Sequence, residues 1–315
     1  MNLKTLFEKQ KRFNDNFYDI DSLTLEDKEE ITKSFCLALH AEMSDLVSSL
    51  NYKQHKDENK QVKLEKIIFE SADIFRYVLA ILNLWEVSCE DFISAFNDKD
   101  RYLDMNFDLS NAKWEGQPVL IVDLDDVVIK FREGFLGWLR NKKEVEVDYN
   151  SREYYTTREV IAAGLNPEKV FLDFIRDRGL KRLLPNPGMI SAINEIREKG
   201  VWVHLLTARP DSNTLCMYDT YSWLKESNLC FDQLSFSGEK YRWCANSKYF
   251  DSDAILCAID DSPKHASEYA KHNISAIVPR EPYNTEVENL ENIFMFDSPK
   301  EAKDQIIKLL LKKTR

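Results

Sequence analysis

Neither glycine nor proline occurs before Gly116; all eight glycines and all nine prolines of the 315-residue chain lie from that point on. Without the two residues that break or sharply turn helices, the first 115 residues are expected to form an all-helical domain. The Gly116-Gln-Pro118 step is the natural junction, preceded by a short polar linker from Asp108 to Glu115. No stretch reaches membrane-spanning length and the N-terminus lacks a secretory pattern, which predicts a cytoplasmic protein. Six cysteines, Cys36, Cys89, Cys216, Cys230, Cys244 and Cys257, show neither metal-type nor disulfide-type spacing and read as buried or semi-buried thiols in a reducing compartment. The five histidines are scattered and read as structural. A basic excess is missing as well. The net charge of −11 disfavours stable attachment to a nucleic-acid backbone and points to small phosphorylated metabolites. An apolar fraction of 43% over this length is enough for two domains with normal cores.

Against these absences stands one run, Pro118-Val-Leu-Ile-Val-Asp123-Leu-Asp125-Asp126-Val-Val, an apolar strand that delivers two carboxylates at i and i+2 where its hydrophobic stretch stops. Ligands of open α/β sheets bind beyond the carboxyl ends of the strands, so such a strand can offer a nucleophile and a proton donor to that crevice. Alone, the pair reads equally well as an acidic turn before the next helix. Two more apolar strands follow in order: Val201 to Leu206 ending in Thr207-Ala208-Arg209-Pro210, and Ala254 to Ile259 ending in Asp260-Asp261-Ser-Pro. Lys240 and Lys248 lie between them.

This succession, over about 118 to 298, resembles the haloacid dehalogenase superfamily of phosphohydrolases, whose motifs are Asp-x-Asp, Ser/Thr, Lys and an acidic pair. The resemblance implies that Asp123 attacks phosphorus to give an aspartyl phosphate, that Asp125 protonates the leaving oxygen and then activates water, and that Thr207 hydrogen-bonds a phosphoryl oxygen. It implies that Thr207, Ala208, Arg209 and a lysine bind substrate. It also implies that Asp260 and Asp261 hold Mg²⁺ with Asp123 and the backbone carbonyl of Asp125, Mn²⁺ being the alternative ion. Asp126 stands where many relatives carry Gly. Lys248 is preferred for the lysine role because it opens the segment leading into the Asp260 strand, whereas Lys240 follows Ser237-Gly238 and suits a solvated loop.

Two amphipathic helices are expected in the N-terminal region, roughly Leu25 to Leu50 and Leu64 to Trp85, with a polar loop from Asn51 to Lys63 between them. Phe35, Leu39, Leu46 and Leu50 form one apolar stripe, and Ile67, Ile74, Val78 and Ile81 belong to the other. Beside the stripes lie Glu42, Asp45, Glu70 and Asp73, which taken singly read as solvated faces. The paired pattern, Glu42-x-x-Asp45 and then Glu70-x-x-Asp73, resembles the signature of the all-α nucleoside triphosphate pyrophosphohydrolases, the MazG and dimeric dUTPase group, over about 30 to 107. Four carboxylates from two helices would form an oxygen-rich Mg²⁺ cage. Asp45 is one methylene shorter than the usual Glu.

Residues of about 132–184, between the first two phosphatase motifs, read as mostly helical and resemble the small helical cap of the superfamily. Leu-Pro-Asn-Pro-Gly-Met-Ile before the Thr207 strand and Arg280-Glu-Pro-Tyr283-Asn284 after the acidic pair look most like the 5′-deoxyribonucleotidase branch. Phe135, Trp138, Tyr154 and Tyr155 could stack on a base, or serve as hydrophobic packing.

The expected fold is therefore multidomain: an all-α helical bundle over 1–115 and an α/β Rossmann-like haloacid dehalogenase fold with a small cap over 116–315. The expected function is a two-step nucleotide hydrolase, (d)NTP to (d)NMP in the first domain and (d)NMP to nucleoside in the second. The alternative is a polynucleotide-end phosphatase carrying a non-catalytic helical module for dimerisation or nucleotide sensing. Apolar stripes on so small a helical domain predict a homodimer or higher oligomer formed through it.

Overall fold

The computed structural model describes residues 2–50, 62–152 and 157–313. The chain divides into two compact units, Met1–Asn97 and Asp98–Arg315. In the first, α1 (Leu3–Asn14) and α2 (Leu25–Ser48) both pack on α3 (Leu64–Leu84). Thr24 starts α2 with a capping box, its side chain taking the Asp27 N–H while the Asp27 carboxylate takes the Thr24 N–H. Phe7, Leu79 and Cys89 make a small core, yet no residue of α2 is buried. Most of the polar loop expected after α2 lies outside the described residues.

The next helix, α4 (Cys89–Asn111), corrects the expected domain boundary. Its first turns contribute Cys89 to the small core, but from Asp98 onward it belongs to the second unit. Met105 and Leu109 sit in that unit's main core, and the buried Asp98 carboxylate takes bonds from Arg178 (2.5 Å), Lys181 (2.9 Å) and Ser222 (3.0 Å). The segment expected as a linker is helical up to Asn111 because its inward face is held by these partners.

The second unit is a six-stranded parallel sheet in the order β3-β2-β1-β4-β5-β6. The strands are β1 (Val119–Val122), β2 (Trp202–Thr207), β3 (Gln233–Phe236), β4 (Ile255–Ile259), β5 (Ala276–Pro279) and β6 (Ile293–Phe296). Every residue of β1, β2 and β4 is buried, as expected of strands covered on both faces. Helices α5 (Phe131–Lys143), α6 (Thr157–Ala162) and α7 (Pro167–Arg176) form the insertion after β1. Then come α8 (Pro187–Arg197), α9 (Thr214–Glu226), α10 (Lys240–Ala245), α11 (Pro263–Lys271) and α12 (Pro299–Lys313). The sequence-derived class, an all-α region followed by a Rossmann-like α/β region, is the one observed. Four cysteines are buried, whereas Cys36 and Cys230 are exposed. Among the described residues no helix is long and apolar enough to cross a membrane.

Candidate active site

Strand order reverses between β1 and β4, the place where an open α/β sheet leaves a crevice beyond its strand ends. Register brings the functional side chains to that edge. Val122 lies opposite Leu205 on one side and Ile259 on the other, so Asp123, Thr207 and Asp260 leave neighbouring strands together. The Asp123 N–H continues the ladder to the Ile259 carbonyl at 2.9 Å, which fixes where its carboxylate stands. Asp126 then turns the chain with φ 53°, a left-handed conformation that costs a non-glycine residue about 1 kcal/mol. Its Oδ1 accepts the Arg132 N–H at 2.8 Å, which ties the turn to α5.

The lysine that the fold places among these carboxylates is Lys240 and not the expected Lys248. It is 1% exposed, with Nζ 2.7 Å from Asp260 Oδ2 and 2.8 Å from Asp123 Oδ1, the latter an ionic contact rather than an aligned hydrogen bond. Lys248 is exposed and lies over the Tyr249 ring. The physical reason is the path of the chain. Lys240 opens α10 directly after the end of β3, at the carboxyl edge of the sheet, whereas α10 carries Lys248 past it. Burial pushes Asp123 up to about 7, with Lys240 opposing that rise. Lys240 itself is held above its ordinary range by the Asp123 and Asp260 carboxylates, which outweigh its own burial.

Asp125 meets Arg209 face to face, Nε to Oδ2 at 2.9 Å and Nη2 to Oδ1 at 2.6 Å. Arg209 is buried and its Nη1 is anchored on the Thr220 hydroxyl of α9 at 3.0 Å. The Thr207 hydroxyl accepts the Arg209 N–H at 3.3 Å. Thus Arg209, expected to bind substrate, orients Asp125 in this conformation.

Asp260 and Asp261 differ in what they have left to offer. Both oxygens of Asp260 are engaged, Oδ2 by Lys240 and Oδ1 by the Ser262 N–H at 3.0 Å. Asp261 Oδ2 accepts the Tyr283 hydroxyl at 2.8 Å, but its Oδ1 is buried with no partner. Asp123, Asp260 and Asp261 each bring a carboxylate oxygen within 4.8 Å of the others. An unsatisfied buried acceptor among converging carboxylates fits a hard divalent cation, which prefers oxygen ligands. Burial first, then the charges of Asp126, Asp123 and Asp260, holds Asp261 well above the usual carboxylate range. A bound cation reverses that direction.

Asp123, Asp125, Arg209, Lys240 and Asp261 line a cavity of ≈ 290 Å³ whose wall also includes Phe131, Phe135 and Phe171. Phe135 faces it while also stacking on Phe131, whereas Trp138 packs against Phe174 and donates to Asp177. Tyr154 and Tyr155 lie outside the described residues. Ala208 also lines the cavity, and so does His265, a residue the sequence alone marked only as structural.

In the helical unit, Glu42, Asp45 and Glu70 bring carboxylate oxygens within 4.8 Å of one another. Partial desolvation, then the nearby Asp73, Glu70 and Asp45 charges, raises Glu42. Helical spacing explains the convergence, since residues three apart share a face and α2 packs on α3.

No protein-family model and no curated protein matches the sequence. Among solved structures, a Clostridium acetobutylicum protein described as a predicted phosphatase is 16% identical, with 61% of this chain and 99% of that one covered at a TM-score of 0.46. A Thermotoga maritima protein named as a candidate beta-phosphoglucomutase is 14% identical, covering 61% and 99% at 0.43. A Haemophilus somnus protein described as a predicted phosphoglycolate phosphatase is 13% identical, covering 64% and 99% at 0.40. At such values the chemistry of the site rests on its own residues.

Proposed function

We propose that the C-terminal unit is a phosphohydrolase of the haloacid dehalogenase type acting on nucleoside monophosphates, and that the helical unit releases pyrophosphate from the matching triphosphates. The observation supporting the phosphohydrolase is the meeting of Asp123, Asp125, Thr207, Lys240 and Asp261 at the carboxyl ends of adjacent parallel strands. In this reading the Asp123 carboxylate attacks phosphorus, the ester P–O bond breaks, and the departing oxygen takes a proton from the Asp125 carboxyl group. Water then gives its proton to Asp125 and attacks the aspartyl phosphate, which frees phosphate and restores Asp123. Arg209 grips both oxygens of Asp125, which suits the second step, where the group must be a carboxylate. Delivering a proton in the first step requires one of those oxygens to be released. Mg²⁺ or Mn²⁺ held by Asp123, Asp260, Asp261 and the Asp125 carbonyl would supply the positive charge that lets a carboxylate approach an anionic phosphoryl group.

The aromatic wall of Phe131, Phe135 and Phe171 supports a flat, apolar leaving group such as a nucleoside. Gathering of Glu42, Asp45 and Glu70 supports the pyrophosphate-releasing activity, whose product is the substrate of the phosphatase. A homodimer through the helical unit completes the reading. Leu37 is 72% exposed, Phe69 70% and Leu64 67%, so part of the apolar surface of α2 and α3 is left uncovered by the described residues of the unit.

The test is separate quantitation of phosphate and pyrophosphate over all (d)NTPs and (d)NMPs. Asp123→Asn should abolish phosphate release from monophosphates and leave pyrophosphate release intact, while Glu70→Gln should do the reverse. Phosphatase turnover retained by Asp123→Asn would refute the assignment of the nucleophile.

A further inference from the structure

The cavity over Asp123 contains an imidazole that the steps above do not use. Ser262 and Pro263 turn the chain into α11 immediately after Asp261, and the first turn of that helix lays His265 against the cavity beside Asp123, Lys240 and Asp261. His265 is 5% exposed, and its Nδ1 is buried without a hydrogen-bond partner. The other buried histidine of this unit, His204, is enclosed by Trp243, Tyr249 and Phe250 and has Ser235 at 3.1 Å from Nε2. That is how a structural histidine is accommodated. Both rings leave Nδ1 without a partner; the difference is that His204 Nε2 meets Ser235 inside an aromatic enclosure, whereas His265 lines the cavity.

Which nitrogen carries the proton follows from what burial costs. A buried N–H with no acceptor is rarer and more expensive than a bare lone pair, so the unpartnered Nδ1 is the deprotonated one and Nε2–H is a donor. Burial, reinforced by Lys240, pushes the imidazole down to about 4, so the ring is neutral around pH 7.

A phosphoryl group over Asp123 brings three non-bridging oxygens that need donors. The charged donors lining the cavity are held by protein groups, Arg209 by Asp125 and Thr220, Arg132 by the Asp148 and Ser151 carbonyls, and Lys240 by Asp260 with the Asp123 charge beside it. We propose that His265 is a catalytic residue of the phosphatase site, its Nε2–H donating a hydrogen bond to a phosphoryl oxygen of the substrate. This rests on the phosphohydrolase reading above. The ring transfers no proton; it adds a fixed neutral donor where added positive charge would have to compete with the lysine.

The experiment uses the full chain with Mg²⁺ and p-nitrophenyl phosphate, with inorganic phosphate as competing product. A hydrogen bond to a charged group predicts that His265→Leu lowers kcat/KM about 10- to 100-fold and weakens phosphate inhibition in parallel. His265→Gln, whose amide nitrogen reaches the place of Nε2, should recover most of the loss, and its pH profile should keep the wild-type shape. His265→Asn, equally polar but placing its amide near Nδ1, should not recover it, a contrast that also removes folding defects from the comparison. Equal kcat/KM in wild type and His265→Leu, or equal impairment in the Gln and Asn variants, overturns the role of His265 alone. A wild-type chain that releases no phosphate from any monoester overturns the phosphohydrolase reading with it.

Discussion

Replacing Lys240 by Met tests both the electrostatics of the site and the choice between two lysines. The ammonium lies 2.7 Å from Asp260 and 2.8 Å from Asp123, and all three side chains are at most 7% exposed. Taking one partner from a buried ion pair costs about 3–5 kcal/mol because the other charge is left uncompensated. Met fills the volume, so little of the loss comes from packing. Asp123 already sits at about 7 with the lysine in place, and its removal drives both carboxyls higher still. A group whose folded pKa is raised contributes stability when protonated and loses it as pH rises through that pKa. The penalty should therefore be largest at pH 8 and shrink toward pH 5, by up to about 1.4 kcal/mol per pH unit for each proton taken up. For a unit of this size, 1 kcal/mol moves Tm by about 2–4 °C, so calorimetry of the full chain without Mg²⁺ should show a drop of roughly 6–20 °C at pH 8. Lys248→Met, at an exposed position, should stay within about 0.5 kcal/mol of wild type and keep full phosphate release. Equal stability and activity of the two variants, or a Lys240→Met penalty that does not vary with pH, would refute the reasoning.

Three further outcomes are expected. Chelation should stop release of phosphate and of pyrophosphate alike, and Ca²⁺ should restore little, because its longer and looser coordination misplaces the reacting oxygens; full turnover in excess chelator would contradict both carboxylate sites. His204 is pushed down to about 3 by burial, so its stabilising contribution is present above about pH 6.5 and is lost as pH falls toward 3. Unfolding free energies of wild type and His204→Phe should thus diverge by about 1.4 kcal/mol per pH unit between pH 6 and 4, wild type losing more, and parallel curves would show that the ring is protonated in place. Phe69→Asp should shift the full chain toward monomer in light scattering at micromolar concentration, and an unchanged mass would move the interface elsewhere.

How far the sequence reveals this arrangement depends on whether a side chain's place follows from its own element. Strands buried on both faces read as apolar runs, so the ends of β1, β2 and β4, and with them Asp123, Thr207 and Asp260, are legible directly. Missing glycine and proline announce α1 to α4. Lys240 and Lys248 cannot be ranked this way, because the choice turns on the route of a loop after β3; the useful signal is that Lys240 follows a strand end. The latter half of α4 is hidden for another reason. Its inward face carries Asp98, which looks solvated until Arg178 and Lys181, 80 and 83 residues further along the chain, come to meet it. His265 has no distinguishing neighbour in sequence, and its importance comes from opening on a cavity that only the fold creates.

The helix α4 also determines where the chain can be dissected. Composition invites a cut at Gly116, yet such a cut removes Asp98, Met105 and Leu109 from the second unit. Arg178 would keep only Asp219, Lys181 would lose its carboxylate, and a strip of the main core would be opened to water. A fragment starting at Gly116 therefore lacks a portion of its own interior, and an inactive fragment of that kind would say nothing about Asp123. Residues that look like the tail of one unit are structural equipment of the other.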